Sequence, residues 1–199
     1  MNLEKFAVDV HQNAIDHGFW EKVDPAALMA LIHAEWSEAL EEYRAGRAMV
    51  WYNCNEISTD LNPCDPQDEG DCLNYACRET CEHRGKKPEG IAVELIDGCL
   101  RILDVLDWLQ DVPIGLTAIS GTIKEKSLPE LVTELHTVIG DAWKVFDLGV
   151  PYIFAEHLRE ALTMAFEWLR GHGEDPEKLL MLKHKYNKTR PYKHGGKII

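Results

Sequence analysis

The amino-acid sequence predicts an all-α protein, a helical bundle of about five to six helices. Apolar residues recur at spacings of three and four through most of the chain, whereas the alternation typical of strands is nearly absent. Helix-starting residues and helix-ending glycines bracket these segments. With 199 residues, 45% of them hydrophobic, the chain is long enough to bury a proper core. We therefore expect residues 1–199 to form a single all-α domain.

Six segments carry the helical pattern, and their ends show ordinary helix signals. Gly18 and Gly46 follow the first and second helices as C-terminal caps. Asp24 precedes the second helix as N-cap, with Pro25 at the first helical position. The predicted helices are residues 3–17, 25–45, 88–109, 127–146, 151–171 and 175–187.

Residues 50–88 differ in character from the helices on either side. They are rich in Asn, Asp, Pro and Gly and hold five of the six cysteines, so we expect an inserted loop or small subdomain. A structural Zn²⁺ site is one interpretation, but no C-x-x-C pair is present. Free thiols packed in a small subdomain are therefore favoured over zinc. Cys99, outside the insert, is expected to be a small core residue.

The formal net charge of −13 disfavours broad contact with nucleic acid, because the phosphate backbone would be repelled. The basic C-terminal tail, residues 183–199, differs from the acidic remainder of the chain. Six Lys or Arg lie within its first fifteen positions, residues 183–197. No apolar run is long enough to cross a bilayer, and the first residues lack the layout of a signal peptide. The sequence therefore predicts a cytoplasmic protein that does not bind membranes.

Two of the predicted helices carry acidic pairs on faces that are otherwise apolar. Glu35 falls inside the apolar stripe of the second helix and Glu38 at its margin. On the third helix a narrow strip holds Glu94, Asp97, Arg101 and Asp104. Burying ionised carboxylates together costs several kcal/mol each unless positive charge lies among them. One arginine cannot neutralise four acids, whereas a hard divalent cation can.

The acidic strip contains no His or Cys, which favours Mg²⁺, with Mn²⁺ as an alternative, over zinc. The competing interpretation is that Glu35 and Glu38 are partly solvated and pair with Arg44 or Arg101. Two acidic pairs that both enter apolar faces favour the metal site over this alternative.

A weak internal repeat accompanies these pairs. Residues 91–109 align without gaps on residues 153–169, placing Glu94 opposite Glu156 and Asp97 opposite Arg159. We interpret residues 1–49 and 89–112 as a metal-bearing helix set and residues 128–182 as a second, degenerate set in a pseudo-twofold bundle. The alternative is that any two amphipathic helices align this well.

The stretches "LIHAEWSEALEEYRAG" and "GIAVELIDGCLRILD" resemble the MazG-like all-α nucleoside triphosphate pyrophosphohydrolases. That family has E-x-x-E on one helix and E-x-x-D on the next, matched here by Glu35, Glu38, Glu94 and Asp97. The tail "KHKYNKTRPYKHGGK" resembles the end of one branch. The resemblance covers the N-terminal half apart from the insert, and the insert makes the separation between the two acidic pairs longer than is usual in the family.

The resemblance implies Mg²⁺-dependent hydrolysis of a nucleoside or deoxynucleoside triphosphate to a monophosphate and pyrophosphate. Glu35 or Glu38 would orient or deprotonate the attacking water. Family members build the site from paired helix sets, which implies a homodimer or one chain that supplies both sets. A catalytically weak nucleotide-binding or regulatory protein and a metal-stabilised scaffold are the competing functions.

A polyanionic substrate needs cations besides the metal, and the basic tail supplies them. A disordered basic C-terminus is the alternative, but the tail's aromatic residues and proline favour docking. The resemblance implies that Trp20 or Asn13 lies near the base, and an ordinary place in the core is the alternative for the aromatic residue. The remaining candidate substrate-binding residues are Arg101, Lys185, Tyr186, Asn187, Arg190, His194 and Lys197.

Overall fold

The computed structural model describes residues 1–52, 87–119 and 121–193 and confirms the all-α bundle. Within these ranges the chain forms six α-helices, one pair of two-residue strands and one 3-10 turn at Ile123–Glu125. The strands are β1 (Trp51–Tyr52) and β2 (Pro88–Glu89). The helices are α1 (Leu3–Asp16), α2 (Pro25–Arg44), α3 (Ile91–Leu109), α4 (Leu128–Asp147), α5 (Pro151–Gly171) and α6 (Pro176–Asn187). None of these helices combines the length and the apolar content that a membrane span requires.

Local capping residues set the helix starts that the sequence predicts. The Asp24 side chain accepts hydrogen bonds from the backbone N–H groups of Ala26 and Ala27, at the start of α2. Ser127 and Glu130 form a reciprocal capping box at the start of α4. These bonds satisfy backbone donors that a helix would otherwise leave unpaired.

The start of α3 differs from the prediction, which placed it at Pro88. Residues Pro88–Glu89 instead pair antiparallel with Trp51–Tyr52, and the helix begins only at Ile91. Gly90 turns the chain with a φ of 112°, and a Cβ atom there would lie 2.7 Å from the carbonyl oxygen of Ala48. The strand pair holds both ends of the insert together. Residues 53–86, and with them the predicted zinc or free-thiol cysteines, lie outside the described residues.

Helix α3 is the centre of the bundle. It packs against α1, α2, α5 and α6, and thirteen of its nineteen residues are buried. Cys99 is fully buried, as expected of a core residue. Because α3 is surrounded by four helices, any polar residue on its surface must find a partner on one of them.

The two helix pairs of the predicted repeat are both present as packed pairs, α2 with α3 and α4 with α5. The pairs meet through contacts of α2 with α4 and of α3 with α5. His33 and His136 stack across the α2–α4 contact, with ring centroids 4.8 Å apart. Matching positions are buried in α2 and α4: Met29, Ile32, Trp36 and Ala39 correspond at a constant offset to Val132, Leu135, Ile139 and Ala142.

The close approach of α2 and α3 depends on Gly98. A Cβ atom at this position would lie 2.2 Å from Nε1 of Trp36, a separation that real Cβ atoms do not show. The indole therefore lies directly over the backbone of α3, and its Nε1 donates to the carbonyl oxygen of Leu95 at 3.3 Å. This packing brings the acidic residues of α2 next to those of α3.

We expect Gly98→Ala to lower the free energy of unfolding by about 1–3 kcal/mol, because the added methyl group displaces Trp36 from a fully packed position. Gly140→Ala in α4 is the matched control, since its Cβ would meet nothing within 4 Å. The control should be stabilised by up to about 1 kcal/mol through helix propensity alone. Urea unfolding followed by circular dichroism measures both. Equal stability of the two variants would contradict the packing described here.

Candidate functional site

Three glutamates from two helices converge in the groove between α2 and α3. Glu35 and Glu38 come from α2 and Glu94 from α3, and one carboxylate oxygen from each lies within 4.8 Å of the others. Glu38 is exposed, Glu35 is half-buried and Glu94 is only 3% exposed. Three hard oxygen donors at this spacing are what Mg²⁺ or Mn²⁺ takes as ligands.

The fourth predicted acid, Asp97, has a different partner. Its Oδ2 lies 2.7 Å from Nζ of Lys183 on α6, and that lysine side chain is only 2% exposed. Lys183 also donates to the carbonyl oxygen of Pro88 at 3.3 Å. Asp97 lines the same cleft as the three glutamates, but an ion pair holds its carboxylate and it is not part of their close group.

Arg101 donates from Nε to Oε1 of Glu35 at 2.6 Å, as the competing interpretation of the sequence expected for this pair. Even so, burial raises the pKa of Glu35, against the opposing effect of Arg101. Burial, together with the charge of Asp97, raises the pKa of Glu94 to about 8, although Lys183 opposes the shift. Both glutamates therefore hold a proton more readily than a free glutamate does, and burial is the main cause.

The glutamates lie at one side of a cleft that extends along α3 towards α1. The part away from the glutamates is largely apolar and includes Trp20. Trp20 donates from Nε1 to Oδ1 of Asp104 at 3.0 Å, and the edge of its ring packs on His11. The other residues that line this part of the cleft are Val10, Asn13, Ala14, Phe19, Leu28, Leu31 and Leu100.

Asp104 is a half-buried carboxyl group with two partners. Besides the bond from Trp20, it accepts a hydrogen bond from Nδ1 of His11 at 2.6 Å. Burial raises the pKa of Asp104, and the hydrogen bonds from His11 and Trp20 oppose that shift. The carboxylate is therefore held in a fixed position on the cleft wall.

The tail residues named from the sequence divide into three groups. Asn187 and Arg190 line the cleft, whereas Lys185 is exposed and Tyr186 half-buried, and neither lines it. The reason is helical register: α6 continues to Asn187, and its inward positions therefore exclude Lys185. His194 and Lys197 lie outside the described residues.

Asn187 carries an unusual feature for a cleft residue. Its Oδ1 is buried and has no hydrogen-bond partner within the described part of the chain. Buried polar atoms are nearly always paired, so an orphan acceptor on a cleft wall suits a donor from a bound molecule or water.

The segment that follows α6 docks against the end of α1. The backbone N–H of Lys193 donates to the carbonyl oxygen of His17 at 3.0 Å, and Tyr192 hydrogen-bonds Glu21. Gly18, with a φ of 78°, leaves room for the Tyr192 ring where a Cβ atom would collide with it. These contacts hold the segment beside the cleft and so position Arg190.

Lys183 is the functional residue that sequence reasoning missed. A signal was present, because Lys183 falls on the stripe of α6 that also buries Leu179, Leu180 and His184. A lysine on an apolar stripe needs an anionic partner, just as Glu35 on its stripe needs a cationic one.

The second helix set has no comparable acidic group within residues 1–52, 87–119 and 121–193. At the positions opposite Glu94 and Asp97, Glu156 and Arg159 form an ion pair with each other. Arg159 also donates from Nε to the carbonyl oxygen of Gly115 at 3.2 Å. This pair is neutral by itself and leaves no surplus charge for a cation.

Comparison of the chain with protein-family models, with curated proteins and with solved structures finds no match.

The raised pKa of Glu94 predicts a pH-dependent loss of stability when divalent cations are absent. Its pKa rises from 4.5 to about 8 on folding, so folding takes up a proton and stability falls as the pH rises through that window. Glu94→Gln removes this loss, while Lys183 and Lys87 keep Asp97 and Glu89 as partners. At about pH 8 with EDTA, we expect the variant to exceed wild type by about 1–3 kcal/mol in free energy of unfolding.

Urea titrations at about pH 5 and pH 8 check this expectation, and Glu41→Gln is the matched control because Glu41 is an exposed residue of α2 paired with Arg44. The control should follow wild type at both pH values. If the free energy of unfolding of Glu94→Gln depended on pH as that of wild type does, burial would not be raising the pKa of Glu94.

Proposed function

We propose that this protein is a Mg²⁺-dependent nucleoside triphosphate pyrophosphohydrolase that releases a nucleoside monophosphate and pyrophosphate. The convergence of Glu35, Glu38 and Glu94 on one side of a cleft is the observation that carries this proposal. The reaction itself is taken from the resemblance of the E-x-x-E and E-x-x-D pattern to the MazG-like family. The substrate is accordingly a ribonucleoside or deoxyribonucleoside triphosphate.

The residues present fit Mg²⁺ on chemical grounds, with Mn²⁺ as the alternative ion. All three close donors are carboxylate oxygens, and burial beside Asp97 raises the pKa of Glu94, so a bound cation would favour the ionised form of this carboxyl group. Glu35, Glu38 and Glu94 would hold the ion, with Asp97 beside them. The bound ion would neutralise phosphate charge and lower the pKa of an attacking water.

Of the two glutamates named as catalytic from the sequence, Glu38 is better placed to handle the water. Glu35 already accepts a hydrogen bond from Arg101 at 2.6 Å, and Glu94 is nearly inaccessible. Glu38 is exposed and lines the cleft. Its carboxylate can therefore accept a proton from a water molecule or orient it.

Cationic and amide groups on the same cleft would receive the polyphosphate. Arg190 and Lys87 line it, and Arg101 lies between the glutamates and Asp104 along α3. The guanidinium groups offer paired donors to phosphate oxygens, and the Asn187 amide adds a donor of its own. Their charge would offset repulsion between the substrate and the acidic wall.

A catalytically weak nucleotide-binding or regulatory protein is the second candidate. The Asp97–Lys183 ion pair favours it, because a lysine holds the fourth carboxylate of the E-x-x-D pattern. Tight nucleotide binding without turnover would support this candidate.

A homodimer remains a prediction, and the presence of both helix pairs in one chain is compatible with a monomer as well.

The activity test is pyrophosphate release from each NTP and dNTP in the presence of Mg²⁺. We expect Glu38→Gln to lower kcat by roughly 10²-fold or more, because it removes the group that handles the water. Glu41→Gln, three residues along α2 and exposed, should retain wild-type kcat. Circular dichroism is used to check that both variants are folded. No release by wild type, or full activity in Glu38→Gln, would contradict the proposal.

A further inference from the structure

The cleft continues beyond these carboxylates to a further, half-buried one, Asp104, whose role the proposed reaction leaves unassigned. Asp104 follows Asp97 by seven residues and Glu94 by ten on α3, which places it about 10 Å and about 15 Å from them along the helix axis. That range spans the reach from the phosphates of a nucleotide to the hydrogen-bonding edge of its base. Around Asp104 the cleft is lined by Trp20, Phe19 and Leu100, an apolar and aromatic surface suited to a base.

The two oxygens of Asp104 are not equivalent. Oδ1 accepts hydrogen bonds from His11 at 2.6 Å and from Trp20 at 3.0 Å, which uses both of its lone pairs. Within the described ranges, the only hydrogen bond to Oδ2 is a longer one from Trp20, at 3.3 Å. Oδ2 therefore has acceptor capacity to spare on a residue that lines the cleft.

An ionised carboxylate only accepts hydrogen bonds, so it favours bases whose pairing edge presents donors. Guanine presents two adjacent donors there, N1–H and the N2 amino group. Adenine and cytosine each present one amino group beside an acceptor nitrogen. Uracil and thymine place carbonyl oxygens on both sides of their single N–H, and these oxygens would be repelled by the carboxylate.

We propose that Asp104 is a specificity-determining residue that makes the cleft select guanine nucleotides. This inference rests on the proposed function for the placement of the phosphates at the carboxylate side of the cleft. His11 and Trp20 act as positioning residues, because their bonds to Oδ1 leave Oδ2 to the ligand.

The test compares kcat/KM for dGTP, dITP, dATP and dTTP in wild type and in Asp104→Asn. Inosine lacks only the N2 amino group, so we expect dGTP to exceed dITP by roughly tenfold or more, and dTTP by a larger factor. Asp104→Asn is isosteric, and the Trp20 N–H requires the amide oxygen to stay at the Oδ1 position. The variant thus places a donor at the Oδ2 position, and it gives up the longer hydrogen bond from Trp20 to that atom.

We expect Asp104→Asn to lower the dGTP-to-dATP ratio by roughly tenfold or more, because an NH2 group at the Oδ2 position donates to N1 of adenine and accepts nothing from guanine. Asp107→Asn is the matched control on the same helix, and Asp107 does not line the cleft. It should leave the ratio unchanged. An unchanged ratio in Asp104→Asn, or a wild-type preference for another base, would overturn the inference.

Equilibrium binding of GMP, IMP, AMP and UMP, measured by calorimetry, separates this inference from the proposed function. If wild type releases no pyrophosphate yet binds GMP most tightly, and Asp104→Asn loses that preference, the inference stands and the proposed hydrolysis fails. If pyrophosphate is released but neither binding nor kcat/KM depends on the base, the hydrolysis stands and the inference fails.

Discussion

The electrostatic cost of burying carboxylates between α2 and α3 is the constraint on which the site depends. Three of the acids along this groove have a partner of their own: Arg101 for Glu35, Lys183 for Asp97 and His11 for Asp104. Glu94 is more deeply buried than any of these, and no direct ion pair to it occurs among the described residues. Because an uncompensated buried charge is strongly unfavourable, Glu94 is the carboxyl group for which the proposed cation would make the largest difference.

The geometry of the groove follows from contacts that are distant in sequence. Gly98 allows Trp36 to lie on the backbone of α3, and this packing sets the separation of the glutamates on α2 and α3. Helix α6 contributes Lys183, which pairs with Asp97, and α1 contributes His11, which bonds Asp104. Both helices therefore contact acidic residues of α3. The site and the hydrophobic core are consequently formed by the same helix contacts.

Much of this arrangement could be predicted from the sequence, because capping residues and apolar spacing act locally. Asp24 caps its helix as expected, and Glu35, which the sequence places within an apolar stripe, is half-buried against α3. The partner of Asp97 could not be predicted, because the pairing with Lys183 depends on how α6 packs against α3. The start of α3 was misplaced for a similar reason, since strand pairing with residues 51–52 overrides the helical pattern.

The most direct measurement is the binding of Mn²⁺, a spectroscopic substitute for Mg²⁺, followed by electron paramagnetic resonance at neutral pH. The account predicts saturable binding that Mg²⁺ displaces, weakened at least about tenfold by Glu94→Gln and unchanged by Glu41→Gln. Binding that is non-saturable, or equally strong in both variants, would mean that Mn²⁺ associates only with the general acidic surface. That result would contradict the claim that these glutamates form a cation site.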